Sequence, residues 1–240
     1  MDFTNLYTTR IQKNFDDDQA EILKAFHEKV VSKEAVKVTL INYHKGLPIM
    51  YPATVVAVER GTLDLDVHPQ QAVVIDGDRY TLIRSNLFPY AIAAHVQYVN
   101  VRKHAVTLNK LCYVEILAEK RNAVRLNLDP PADASIVHDG LEIVGKLLDI
   151  SVQGVAMKLD HYLQFEAGTE VSIQFMLPDL VLQKQVLMKL AATLVNIDGQ
   201  ASPYRCRFKV SPDKQQEQLI SRYVFQRQVE VIHGLKDVVD

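Results

Sequence analysis

From Val36 onward the apolar residues fall in short runs of period two, and turn residues interrupt them every few positions. Leu63, Leu65 and Val67 alternate strictly with Asp64 and Asp66, which predicts a strand with one face in water. Segments 36–41, 54–58, 73–75, 79–83, 90–101, 104–108 and 112–117 predict further strands, with Asp76-Gly77-Asp78 as a hairpin turn between two of them. Segments 125–128, 141–150, 154–159, 170–177, 186–196 and 204–210 repeat the pattern, with breaks such as Pro130-Pro131, Asp198-Gly199 and Ser202-Pro203.

Two stretches carry the longer, helical period. Ile22, Leu23, Phe26 and Val30 share a face of a helix over 16–34, and Asp16, Asp17 and Asp18 suit its N-terminus. Leu219, Ile220, Tyr223 and Val224 form a second stripe, with Ser211 as N-cap, Pro212 in the first position and Gly234 as the stop. Residues 1–15 show no period and read as a loosely held arm. The expected fold is mainly β: two small antiparallel β-barrel domains, with an N-terminal helix and a C-terminal helix. The boundary falls near 114–120, giving domains 1–116 and 117–240 joined by a short junction.

Composition narrows the function. The chain has 240 residues, 48% of them hydrophobic and 23% charged, with a net charge of −2, so no global field draws it to nucleic acid or acidic lipid. The first 118 residues carry as many acidic as basic side chains, and Tyr98 and Tyr113 therefore lack the basic groove that single-strand stacking needs. Cys112 and Cys206 have no metal-ligand spacing and fit a reducing compartment. Residues 1–14 are mostly polar, unlike a signal peptide, and no apolar run approaches the ~20 residues of a membrane span. The eight histidines are scattered, and neither a Gly-x-Ser-x-Gly elbow nor a Walker loop occurs. Asp64, Asp66, Asp76 and Asp78 sit on an exposed strand face and a turn, which suits solvent better than a metal.

Two clusters carry chemistry. Lys120, Arg121 and Arg125 are three cations within six residues, and Asp129, Pro130 and Pro131 after them argue against a long helix. On a loop or strand entry, guanidinium forks can curl round a ligand, and they suit phosphate oxygens and the O6/N7 edge of guanine. Asp149 and Ser151 share one face of a strand, and Gly154 permits a bend or a close backbone approach. A carboxylate accepts from guanine N1–H and N2–H. Taken singly, paired arginines are surface residues and an Asp-x-Ser is a turn or cap. Together they describe a site for an anionic guanine nucleotide, with Asp149 either reading the base or anchoring an arginine of the first cluster.

Arg121-Asn122-Ala123-Val124-Arg125 followed by Asp149-Ile150-Ser151-Val152-Gln153-Gly154 resembles the PilZ domain, a receptor for cyclic di-GMP. Arg222-Tyr223-Val224-Phe225-Gln226-Arg227 is similar to the last helix of PilZ proteins of the YcgR type, and residues 1–116 resemble their N-terminal domain in the order of elements. The resemblance implies a non-enzymatic receptor that binds cyclic di-GMP through Lys120, Arg121, Arg125, Asp149, Ser151 and Gly154, with no metal and no other cofactor. It implies a protein target such as a flagellar motor, polysaccharide synthase or pilus component, and control of motility, biofilm or exopolysaccharide through ligand-induced domain rearrangement. It also implies a cytoplasmic protein, recruited where needed to a membrane-bound complex, that partners no nucleic acid. Lys120, just before the first motif arginine, favours two stacked nucleotides per chain over one. A PilZ scaffold acting only through protein contacts is the alternative, which the intact motif residues disfavour. An enzyme acting on a small anion lacks a nucleophile–base pair.

Overall fold

The computed structural model describes residues 6–121, 123–179 and 181–237. The chain divides into two compact units. One comprises Met1–His44, Pro48–Arg121 and Ile232–Asp240, the other Lys45–Leu47 and Asn122–Val231.

The first unit holds β1 (Tyr7–Thr9), α1 (Phe15–Val31), β2 (Val36–His44), β3 (Leu47–Glu59), β4 (Thr62–Val67), α2 (Pro69–Asp78), β5 (Tyr80–Arg84), β6 (Ala91–Asn100) and β7 (Ala105–Ile116). The sheet runs β7-β4-β3-β2-β5-β6, and pairing of β6 with β7 closes it into a six-stranded barrel. Alternation explains the wall: Leu63, Leu65 and Val67 are buried, while Asp64 takes a 2.6 Å hydrogen bond from the Thr107 hydroxyl. Ile22 and Phe26 of α1 are fully buried in the same core. Asn14 caps α1 by accepting from the Asp17 N–H at 2.9 Å. Buried Asp18 accepts from the backbone N–H groups of Gln12 and Lys13, fixing the chain that enters the helix.

Two local expectations change here. Residues 1–5 of the expected arm lie outside the described residues, and Tyr7–Thr9 is a strand paired antiparallel with Val114–Ile116. The expected hairpin at Asp76-Gly77-Asp78 is the end of α2, which Pro69 opens and left-handed Arg79 (φ 61) closes. The turn residues are overruled because Ala72 and Ile75 of the helix fill the barrel core. Gln71 also donates to Oδ1 of the Asn42 side chain at 2.8 Å, and the Asn42 Nδ2 donates in turn to Asp78 and to the Tyr80 backbone.

The second unit holds β8 (Leu126–His138), β9 (Leu141–Ile150), β10 (Gly154–Leu159), β11 (Glu170–Asp179), β12 (Lys184–Asp198), β13 (Tyr204–Val210) and most of α3 (Lys214–Asp237). The strands close into a barrel in the order β10-β13-β12-β11-β8-β9. Its core includes Ile136, Ile150, Met157, Ile173, Leu190 and Cys206, with Ile220, Tyr223 and Val224 of α3 packed in. The helix cap is Asp213 rather than Ser211: its carboxylate accepts from the Gln216 N–H at 2.8 Å and the Gln216 side chain accepts from the Asp213 N–H at 3.0 Å. Gly234 lies inside α3 and does not end it.

Pro130-Pro131 does not end a strand either. β8 continues past it, and the two prolines sit in an irregularity where five steps from Asn127 to Ala132 face two steps from Asp149 to Leu147. Leu148 is the unpaired residue of β9 on its other side as well, between Asp149↔Ala156 and Leu147↔Met157. This bulge lets Leu147 and Ile150 both point into the core and leaves Asp149 on the outer face.

Candidate functional site

The turn from β9 to β10 sets the site. Ser151 is buried, and its hydroxyl donates to the Gly154 carbonyl at 2.9 Å while accepting from the Gly154 N–H at 3.0 Å. The Ser151 N–H donates to the same carbonyl at 2.9 Å. Ser151 is thus the brace of a tight turn. A β-carbon at Gly154 would stand 3.0 Å from the Phe208 carbonyl oxygen and 3.9 Å from Nη2 of Arg125. A side chain here would require β13 to give by a few tenths of an ångström, and the Arg125 guanidinium lies close to the same position.

Asp149 is 2% exposed, with Asn127 opposite it on β8 and Ala156 on β10. Its Oδ2 accepts from Nη2 of Arg205 at 2.8 Å, a charge-assisted bond from β13. Its Oδ1 is buried and has no hydrogen-bond partner among the described residues, and the same holds for Nε of Arg205. Asp149 thus anchors Arg205, a strand residue outside the first motif.

Around this pair the outer wall is basic. Cys206, Phe208 and Val210 of β13 face the core, so Arg205, Arg207 and Lys209 face outward. Gly154 lies opposite Lys209, Ala156 opposite Arg207 and Lys158 opposite Arg205, which places small residues beside long cations. Arg207 pairs with Asp198 at 2.7 Å, and Asn196 donates to the other Asp198 oxygen at 2.8 Å. Burial, and secondarily the charge of Asp198, pushes the Cys206 thiol up to about 11, so it is an inert core residue. Sequence reasoning passed over Arg205 and Arg207, although the alternation of basic residues in 204–210 signals an outward cationic stripe.

Lys120 and Arg121 belong to the first unit. Lys120 ends a 3-10 turn (Leu117–Lys120), and its ammonium pairs with Glu115 at 3.0 Å. Glu115 also takes Arg10 at 3.1 Å, and these hydrogen bonds, that of Lys120 foremost, hold its carboxyl below the usual range. Glu119 of the same turn pairs with Arg84. Arg121 is half-buried, with an extended backbone, and its charge acts on the Tyr43 hydroxyl, which burial raises above its ordinary value. Asn122, inside the first motif, lies outside the described residues. No group of histidine, cysteine, aspartate and glutamate among the described residues is arranged to hold a metal ion. No helix among them is long and apolar enough to cross a membrane.

Comparison with known proteins identifies this half of the chain. Residues 119–226 match the family model of the PilZ domain. This part of the chain is a PilZ domain. Beyond the family match, 143 residues (59% of this chain) align at 29% identity with an uncharacterized protein of Aquifex aeolicus (strain VF5). The aligned stretch spans 66% of that protein, just under two thirds of its length. Among solved structures, the chain is similar to YcgR from Escherichia coli in complex with c-di-GMP, at 14% identity and a TM-score of 0.41, covering 92% of this chain and 93% of that one. It is also similar to the K. pneumonia MrkH–c-di-GMP complex, at 12% identity and a TM-score of 0.45, covering 95% and 99%. Within the PilZ domain, the turn between β9 and β10 carries the second motif and Arg125 closes the first.

Proposed function

We propose that this protein is a cyclic di-GMP receptor that couples the level of the nucleotide to a protein partner in motility, biofilm or exopolysaccharide control. The observation that carries the reading is the Asp149 carboxylate. It is buried in the wall of a PilZ domain, held by one oxygen only, and lies in the strand that leads into the turn beneath Arg125. A buried acceptor without a donor is costly to the protein alone and is relieved by a ligand that brings one. Guanine brings N1–H and N2–H.

The roles follow from the chemistry. Arg121 and Arg125 take phosphate oxygens or the O6/N7 edge of guanine through their forks and stack on its face. Lys120 adds a point charge that favours the four phosphate charges of a stacked pair, so two nucleotides bind per chain. Ser151 and Gly154 shape the turn that lets the ligand approach the backbone. With ligand, the three cations of 120–125 gather round it, Lys120 leaving its pairing with Glu115. That ordering acts on the junction between the N-terminal YcgR-like domain (1–116) and the PilZ domain (117–240), and the rearranged surface meets the partner.

Calorimetric titration with cyclic di-GMP, with GTP and cyclic AMP as controls, tests the receptor. Heat from cyclic di-GMP alone, at two equivalents per chain, is expected. No heat from any of the three would leave a PilZ scaffold that works through protein contacts. Small-angle scattering with and without ligand tests the rearrangement, and identical distance distributions at verified saturation would remove that step.

A further inference from the structure

Arg205 and Asp149 meet in an incomplete way. A guanidinium that meets a carboxylate side-on makes two parallel hydrogen bonds. Here Nη2 reaches Oδ2 at 2.8 Å, while Nε and Oδ1 are both buried without partners among the described residues. The pair therefore holds one spare acceptor and one spare donor. The Arg205 side chain keeps 42% of its exposure and the Asp149 side chain only 3%, so the arginine is the member free to pivot. It lies on the outer face of β13, opposite Lys158 and one row from Ala156, whose single methyl leaves the wall low at this point.

We infer that Arg205 is a specificity-determining residue of the nucleotide site, reading O6 of guanine while Asp149 reads the adjacent N1–H. This rests on the proposed receptor function and adds a residue that neither motif contains. The spare acceptor and donor of the pair match the Watson–Crick edge of guanine, where an acceptor at position 6 adjoins a donor at position 1. Adenine reverses both: its position 6 donates and its position 1 accepts. In a macrocyclic dinucleotide the base cannot simply be turned over to compensate. A site whose buried groups expect one pattern rejects the reversed one, since acceptor then faces acceptor. The Nη2 bond to Oδ2 has a second effect, aiming the carboxylate so that Oδ1 is the oxygen presented. Arg205 thus acts both directly and by positioning Asp149.

The test is calorimetry of the full chain with cyclic di-GMP, cyclic di-IMP and cyclic di-AMP, on wild type, Arg205→Gln, Arg205→Lys and Asp149→Ala. Circular dichroism and thermal melting establish that each variant is folded. Arg205→Gln is expected to lose about 10-fold or more for cyclic di-GMP, the scale of one hydrogen bond to a charged group. The same loss is expected for cyclic di-IMP, which keeps O6 and N1–H, and none for cyclic di-AMP. Arg205→Lys retains a charge for Asp149 but has no second nitrogen held beside the first in a planar fork, so its loss falls between. Adding Arg205→Gln to Asp149→Ala costs less than in the wild-type background, because the two residues work as a unit. A merely structural or electrostatic role lowers the affinity for all three ligands alike, and that result overturns the inference. An Arg205→Gln protein with the wild-type guanine preference overturns it too, while leaving the receptor function standing. If wild type binds none of the three, the receptor function fails and the inference falls with it.

Discussion

Arg125 and Gly154 are neighbours on the outer face of the second barrel: Nη2 of the arginine lies 3.9 Å from where a glycine β-carbon would stand, with the Phe208 carbonyl 3.0 Å away on the other side. A side chain at this position is caught between backbone and the Arg125 guanidinium. Gly154→Ala is expected to cost about 1–3 kcal/mol of stability, the usual range for overpacking. Gly154→Val reaches further and displaces the guanidinium as well. Thermal melting reports the first effect and cyclic di-GMP titration the second. A valine variant with unchanged affinity would show that Arg125 works from elsewhere.

Removal of either motif arginine is expected to weaken binding strongly. Arg121→Ala and Arg125→Ala should each cost on the order of 2–5 kcal/mol, roughly 30-fold or more in affinity. Lysine restores charge without the planar fork, so Arg121→Lys and Arg125→Lys recover only part of the loss. Titration at two salt concentrations checks both points, since part of the loss is screened at the higher one. Folded alanine variants that bind as tightly as wild type would refute the assignment.

Asp149→Ala is expected to abolish the preference for cyclic di-GMP over cyclic di-AMP, because the acceptor for guanine N1–H and N2–H is gone. It also leaves Arg205 without its carboxylate, so the melting temperature should fall by several degrees, consistent with about 1–3 kcal/mol for an orphaned partner. Competition titration with the two dinucleotides measures the ratio. An undiminished ratio would confine Asp149 to a structural part.

Asp179 ties stability to pH. Its carboxylate caps the end of β11, accepting from the N–H groups of Val181 and Leu182 at 3.0 and 3.1 Å, with Arg222 of α3 at 3.7 Å. The Leu182 N–H is the main cause holding the acid below its ordinary value of 3.8; burial opposes it, and the Val181 N–H and Arg222 add to it. A depressed folded value means that the contribution is complete above the unfolded value and disappears as pH falls through the folded one. The gap in melting temperature between wild type and Asp179→Asn should therefore be constant near neutrality and shrink on acidification below 3.8. A gap that widens in acid would contradict the sign.

What the sequence showed and what it hid follow one physical line. Strands with one wet face announce themselves by alternation, as in Leu63–Val67, and five of the six strands of the PilZ barrel read out nearly end for end, whereas β8 (Leu126–His138) was expected only over 125–128. Motif residues were visible because their spacing matches a known family. Hidden were the features decided at long range. Asp76-Gly77-Asp78 has the local chemistry of a turn, yet Ala72 and Ile75 are worth more in the barrel core than a hairpin is worth in solvent. Pro130-Pro131 resembles a stop, but an irregular strand absorbs the missing donors. Arg205 lies 56 residues from Asp149 along the chain, and nothing short of the barrel closure pairs them.

The bulge at Leu148 works like a phase shift in a repeating signal. In an unbroken strand a side chain and its second neighbour share a face, so inward Leu147 would carry Asp149 inward with it and push Ile150 out. The one unpaired residue resets the count, and everything after it is read on the opposite beat. Pairing Leu148 into a regular ladder would leave every chemically important residue present and turn a carboxylate that faces the outer wall into one aimed at a hydrocarbon core. In this barrel the proposed site rests on an odd residue as much as on a charged one.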